Sequence, residues 1–225
     1  MANWKKSEIL WLIVATIVIL GLSLYWGDTS IGIISAITGV WCVVCTGKGS
    51  LWAYIWGLIN CVLYGWIALE AKYYGETMLN WLYYVPMQFY GFYVWFKHMN
   101  PDTHEVKKRS MSLKGKALLI LAILGSAFIY GLVLRLINGN LPFVDAFTTM
   151  ASIIAMIISI HRYSEQWWIW IFVNIFSIGM YVVDVMNGSN NYATVLMWLV
   201  YLINAIIMLR KWNHEAENEE VLKNA

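Results

Sequence analysis

Apolar runs long enough to cross a bilayer, about 17 to 25 residues each, recur along the whole chain and are separated by short polar breaks. They lie at residues 8–26, 30–46, 50–71, 75–97, 114–137, 143–160, 165–186 and 191–212. The breaks carry loop chemistry: Gly27-Asp28-Thr29-Ser30, Gly47-Lys48-Gly49-Ser50 and Asn187-Gly188-Ser189-Asn190. One long polar loop, 98–113, holds Pro101 and Lys107-Lys108-Arg109. Lipid offers the backbone no hydrogen-bond partners, so runs of this length predict helices that satisfy their own peptide groups. The expectation is an all-α integral membrane protein with eight transmembrane helices. The first run is read as a retained span and not a signal peptide, because no small-x-small cleavage site follows Lys5-Lys6 and the apolar stretch Ile9 to Tyr25.

Composition agrees with this pattern. Hydrophobic residues make up 60% of the 225 and charged residues 12%, about half the share of a soluble domain, and mean hydropathy is +0.61. In water such a chain would expose large apolar patches and aggregate. A net charge of +2 with no basic stripe excludes a nucleic-acid binder. Lys and Arg also set orientation. With the N-terminus inside, 13 of the 15 fall on the cytoplasmic side, and only Lys72 and Arg135 fall outside. Both termini are then cytoplasmic.

Sliding the chain by 114 residues lays 30–97 over 144–211. Lys48 meets Arg162, Ser50 meets Ser164, Trp56 meets Trp170, Asn60 meets Asn174, Glu70 meets Asp184, Tyr84 meets Trp198 and Lys97 meets Lys211. This pattern predicts two three-helix units. Units with an odd number of spans joined directly would be inverted, and the span at 114–137 restores a common orientation, giving a 3+1+3 parallel-repeat core. The expected organisation is an additional N-terminal helix (1–28), a first bundle (29–97), a cytoplasmic loop and linker helix (98–142), a second bundle (143–213) and a cytoplasmic tail (214–225).

Polar side chains at membrane depth are costly and face the protein interior. Trp52, Trp56, Asn60 and Tyr64 recur every four residues in the third run, a spacing that predicts one shared face. The seventh run has Trp167, Trp170, Asn174, Ser177 and Tyr181; the fourth has Asn80, Tyr84 and Gln88; the eighth has Trp198, Tyr201 and Asn204. Asn60, Gln88, Asn174 and Asn204 fall near mid-span and suit a flat, hydrogen-bonding ligand held by stacking. The competing reading is adhesion, since amides also join membrane helices at about 0.6 to 2 kcal/mol each. Pro86 predicts a kink in the fourth run.

No ionisable residue falls at mid-span, and proton-coupled carriers place one there. The pattern favours facilitated diffusion. No nucleophile–base pair, phosphate-binding loop or metal-ligand cluster supports an enzyme or a resident cofactor. Cys42, Cys45 and Cys61 read as small apolar packing residues. On the outer side Asp28, Glu70, Glu76, Asp145 and Asp184 oppose Lys72 and Arg135, a net charge of −3. This suits a cationic solute, or merely reflects acids collecting where bases are excluded.

The duplicated units around a linker helix, with Trp56-Gly57-Leu58-Ile59-Asn60, Tyr64 and Gln88-Phe89-Tyr90-Gly91-Phe92-Tyr93-Val94-Trp95, resemble the PnuC family of nicotinamide riboside transporters, relatives of the sugar-transporting SWEET proteins. Phe92 stands where members often carry the first Trp of Trp-x-x-Trp. The resemblance covers about residues 30–212. It implies uptake of this vitamin B3 nucleoside for NAD biosynthesis across a bacterial inner membrane without ion coupling, made one-way by a cytoplasmic riboside kinase. It also implies a homo-oligomer, with a trimer as one candidate. The expected substrate-binding residues are Trp56, Asn60, Tyr84, Gln88, Trp170, Asn174, Trp198 and Asn204, with Trp52, Tyr64, Tyr181 and Tyr201 as gating or secondary residues. Rival readings are a uniporter for another vitamin precursor or a sugar, and a non-transporting membrane scaffold.

Overall fold

The computed structural model describes residues 4–70, 74–136 and 142–224. Lys72 lies outside this range, as do the side chains of Asp145 and Lys223. The described chain is helical: α1 (Lys6–Trp26), α2 (Ser30–Lys48), α3 (Trp52–Glu70), α4 (Tyr74–Met78), a π-helical stretch (Leu79–Tyr84), α5 (Val85–Lys97), α6 (Leu113–Leu136), α7 (Pro142–Ile160), α8 (Gln166–Met186) and α9 (Tyr192–Asn224). Seven of these, α1 to α3 and α6 to α9, are long and apolar enough to cross a membrane. The protein is therefore a multi-pass membrane protein. Ile17, Leu24, Leu121, Phe128 and Ile129 are exposed on the outside of the bundle, which lipid tolerates and water would not. α9 continues as a single helix through the segment expected to be a tail.

The fourth apolar run is helical from end to end, but its middle is π-helical. Pro86 has no N–H to donate to the carbonyl four residues back, at Leu82, and its ring crowds that carbonyl. The chain answers by widening the preceding turn, so that the Val85 N–H reaches Asn80 O, five residues back. The expected kink is thus realised as a stretch of wider winding.

Two seams join the front and back of the molecule. α2 packs against α9, and α5 packs against α7. Under the 114-residue offset the two contacts correspond, α2 aligning with α7 and α5 with the middle of α9. Each seam is pinned by a fully buried indole near one end. Trp95 Nε1 donates to Ser159 O at 3.3 Å, and Trp212 Nε1 donates to Gly47 O at 2.8 Å. α1 packs on α2 and α9, and α6 packs on α7.

The Lys- and Arg-rich end is closed by a ring of six side chains with alternating charge. Glu8 pairs with Lys48 at 2.9 Å, Lys48 with Glu105 at 2.8 Å, and Glu105 with Lys108 at 3.1 Å. Lys108 pairs with Glu215 at 2.7 Å, Glu215 with Lys211 at 4.0 Å, and Lys211 returns to Glu8 at 2.9 Å. The loop between α5 and α6 supplies Glu105 and Lys108, and it docks through its backbone. The Val106 N–H donates to Gly49 O at 3.1 Å, while Arg109 exchanges bonds of 2.9 and 2.8 Å with Arg162 O and the Ser164 N–H. Gly49 has φ 78°, and a Cβ there would stand 3.2 Å from Val106 Cγ2, so this turn needs glycine on both counts.

Candidate functional site

A cavity of about 150 Å³ lies between the two sets of helices. α3 lines it with Ala53, Tyr54, Asn60, Cys61 and Tyr64, related by steps of three, four and seven so that they stay on one stripe of a 3.6-residue helix. α8 lines it with Trp167, Trp170, Asn174 and Ser177 on the same spacing. α9 contributes Met197, Trp198 and Tyr201, and α7 contributes Ser152, Met156 and Ser159.

The remaining wall shows what the π-helical stretch does. Glu76, Asn80, Tyr84 and Gln88 all line the cavity although they are four residues apart. In a straight α-helix each such step rotates about 40° away from the last, a consequence of 3.6 residues per turn. Wider π winding reverses that drift. α3 supplies the contrast, because Trp52, Trp56, Asn60 and Tyr64 share the four-residue spacing without a π turn. Asn60 and Tyr64 reach the cavity, but Trp56 turns away to meet the Trp41 ring edge-on at 4.6 Å, and Trp52 is 55% exposed on the outside. The single face expected for those four residues is therefore not formed.

Of the twelve expected residues, Asn60, Tyr84, Gln88, Trp170, Asn174, Trp198, Tyr64 and Tyr201 line the cavity. Trp56, Trp52, Asn204 and Tyr181 do not. Asn204 is fully buried and donates to Val43 O at 3.1 Å across the α2–α9 seam. Tyr181 is buried behind Tyr64, with ring centroids 6.0 Å apart. Tyr54, Ser152, Ser159 and Glu76 join the lining unannounced. The clue to Tyr54 was its spacing of three and seven from Gly57 and Cys61, and no local pattern marked the α7 serines.

Hydrogen bonding divides the amides. Asn60 is engaged by protein: its Nδ2 donates to Ser35 O at 2.9 Å and to Ser35 Oγ at 3.2 Å, and Tyr201 Oη donates to its Oδ1 at 3.5 Å. Among the described residues Gln88 has a soft partner, Cys61 Sγ, to which its Nε2 donates at 3.6 Å. Asn174 is 2% exposed, and its Oδ1 has no partner among the described residues; the Nε1 of Trp167 is likewise buried and unpartnered among them. Buried polar atoms left unsatisfied cost about 1–3 kcal/mol each, so two at one cavity point to a ligand that satisfies them.

At the basic end the cavity has an aromatic floor. Tyr54 and Trp167 line it, and beneath them Trp95 and Trp212 are fully buried, with ring centroids 5.0 Å apart for Tyr54–Trp95 and 5.7 Å for Trp167–Trp212. Lys108 of the ion ring lies 5.8 Å from the Trp212 ring. Towards the other end Tyr64 packs edge-on to Trp198 at 6.0 Å. Glu76 is the one charged side chain among the described residues that line the cavity. An acid expected on the outer side thus reaches the cavity wall. Cys42 and Cys61 also line it, and all three cysteines are free thiols. Among the described residues no cluster of His, Cys, Asp and Glu is placed to hold a metal.

Comparison with known proteins gives a consistent picture. A family profile described as nicotinamide mononucleotide transporter matches residues 29–214. A nicotinamide riboside transporter PnuC of Neisseria mucosa is 35% identical over 215 residues, covering 93% of this chain and 82% of that one. Its namesake in Haemophilus influenzae is 30% identical over 214 residues, covering 94% and 92%. The crystal structure of a vitamin B3 transporter PnuC superposes with a TM-score of 0.87 at 33% identity, covering 96% of this chain and 94% of that one. These relatives are transporters and not enzymes. With the profile spanning most of its length and such relatives covering nearly all of it, the chain belongs to the PnuC family of nicotinamide riboside transporters.

Proposed function

We propose that this protein takes up nicotinamide riboside across the bacterial inner membrane by facilitated diffusion, binding it in the cavity between two pseudosymmetric three-helix units. In this reading the helical run 74–97 is a fourth crossing, which makes eight, and both termini are cytoplasmic. α1 stands outside the 3+1+3 core. The paired seams α2–α9 and α5–α7, each pinned by a buried Trp, support the two-unit arrangement. Phosphorylation of the solute by a cytoplasmic kinase then makes uptake one-way.

The observation that carries the reading is the unpartnered, buried Asn174 Oδ1 in a cavity walled by Trp170, Trp198 and Gln88. Amides match the ribose hydroxyls and the carboxamide, and indole faces match the pyridinium ring. The same wall favours the nucleoside over its 5′-phosphate. A phosphate monoester carries about −1.5 to −2 charges and calls for Arg, Lys or converging N–H donors. No Lys or Arg stands among the described lining residues, and Glu76 would repel it.

Asn174→Leu and Asn60→Leu separate binding from folding. Asn174→Leu is expected to weaken nicotinamide riboside binding about tenfold or more, near 1.4 kcal/mol, with little change in melting temperature. Asn60→Leu is expected to cost about 1–3 kcal/mol of stability, because it strips buried partners from Ser35 and Tyr201. Calorimetric titration and thermal unfolding of detergent-purified protein measure both. Titrations with thiamine, riboflavin and glucose test the rival solutes, and preferential binding of any of them overturns the substrate assignment.

A further inference from the structure

Five acidic residues were expected on the side opposite the basic ring, and their placement separates them. Asp28 sits against the backbone amides of Tyr192 and Ala193 at the start of α9. Glu70 accepts from Trp66 Nε1 at 2.9 Å. Asp184 accepts from Ser189 Oγ at 2.6 Å and Asn191 Nδ2 at 2.7 Å, which shapes the turn into α9. These three shape turns and helix ends. Glu76 is different: it lines the cavity, in company with Tyr64, Asn80, Tyr84 and Trp198.

We propose that Glu76 is the charge-selecting residue of the carrier, favouring solutes that bear a delocalised positive charge over neutral solutes of the same shape. The inference rests on the nucleoside reading above and names the group that recognises the cation. Three features place the charge there. Glu76 lies in the first turn of α4, and Asn80 Nδ2 donates to its backbone carbonyl at 2.9 Å, which holds that turn in register with the cavity wall. The π-helical stretch that follows keeps Glu76 on the same stripe as Gln88. It shares the lining of one cavity with Tyr64 and Tyr84. It is the charge of Glu76 that acts, whatever protein contacts its carboxylate keeps.

The surroundings sharpen the effect. A carboxylate facing a protein cavity interacts with a cation several-fold more strongly than it would in water, because the effective dielectric constant is lower. The 114-residue offset places Asn190 opposite Glu76, so the two units differ here and the cavity has one anionic end. The flanking Tyr and Trp faces add attraction for a cationic ring and none specific to a neutral one.

Benzamide riboside is the discriminating probe. A carbon replaces the pyridinium nitrogen, so the ligand is neutral with nearly the same outline. Wild-type protein is expected to bind nicotinamide riboside about tenfold more tightly than benzamide riboside by calorimetric titration. Glu76→Gln is expected to cut that preference to the small part the aromatic faces supply, by weakening the cation alone, and Glu76→Asp to retain most of it. Equal affinities in the wild-type protein overturn the proposal without any variant, as does a preference that stays undiminished in folded Glu76→Gln. Wild-type protein that binds neither nucleoside overturns the function reading itself, whereas binding of both without discrimination overturns only the role of Glu76.

Discussion

Among single residues, the decisive difference is between an amide the protein has satisfied and one it has left open. Asn60 and Asn174 correspond under the 114-residue offset, yet Ser35 and Tyr201 engage the first, while the second keeps a buried oxygen without a partner among the described residues. Residue type and spacing could not reveal this, because Asn is the same side chain in either role. Gly57 supplies a further test. A methyl group there would stand 2.6 Å from Gln88 Oε1 and 3.1 Å from Cys42 Sγ, both beside the cavity. Gly57→Ala is therefore expected to displace the Gln88 amide and weaken solute binding several-fold, while circular dichroism reports an unchanged helix content. An unaltered affinity would show that Gln88 is not a contact.

For the helical elements, the period of the winding decides which side chains meet. The polar positions of α8 follow the three-and-four spacing of an α-helix, and the cavity wall built from Trp167, Trp170, Asn174 and Ser177 was legible from that spacing. The fourth apolar run has a uniform spacing of four, which an α-helix would spread around its circumference. Only a winding change keeps Glu76 and Gln88 on one face, and Pro86 enforces it. Pro86→Ala gives the chain back a donor and removes the clash with the Leu82 carbonyl. The run is then expected to relax towards α-helix, rotating Glu76 and Asn80 relative to Gln88. The measurable outcome is a loss of solute affinity with retained or raised thermal stability. Slower amide exchange at residues 79–85 would locate the change.

Across the whole molecule, the ion ring couples four parts of the chain that are remote in sequence. Lys48 is 4% exposed and sits between Glu8 of α1 and Glu105 of the loop. Removing one partner of a buried pair costs about 3–5 kcal/mol, since the other charge is left uncompensated. Glu105 makes the ring sensitive to acid. Burial alone would raise its pKa, but the ammonium groups of Lys48 and Lys108 outweigh burial and hold it below the ordinary carboxylate value. A depressed carboxyl contributes stability that is present above its unfolded pKa and is lost as pH falls through its folded pKa. Thermal stability is therefore expected to hold near neutral pH and to decline below about pH 4, the unfolded carboxylate range. Glu105→Gln should lower stability at pH 7 and shrink that acid-dependent decline. An acid profile identical to wild type would remove Glu105 from the ring's energetics.

The sequence by itself determined that this chain lives in lipid, where the helices run and which residue types would face inward. Those properties are local: an apolar run in a solvent without hydrogen-bond partners has one economical conformation, and a polar side chain there has one tolerable direction. The tertiary structure decided the rest. It turned Trp56 onto Trp41, spent Asn204 on the Val43 carbonyl, left Asn174 Oδ1 open and placed Glu76 on the cavity wall. It also closed a ring between Glu8 and Lys211, positions 203 residues apart. Each of these outcomes depends on which neighbour reaches a polar atom first, and the neighbours come from helices distant along the chain. Periodicity in one helix says which face is polar, and only packing between helices says which of its groups remain free for a solute.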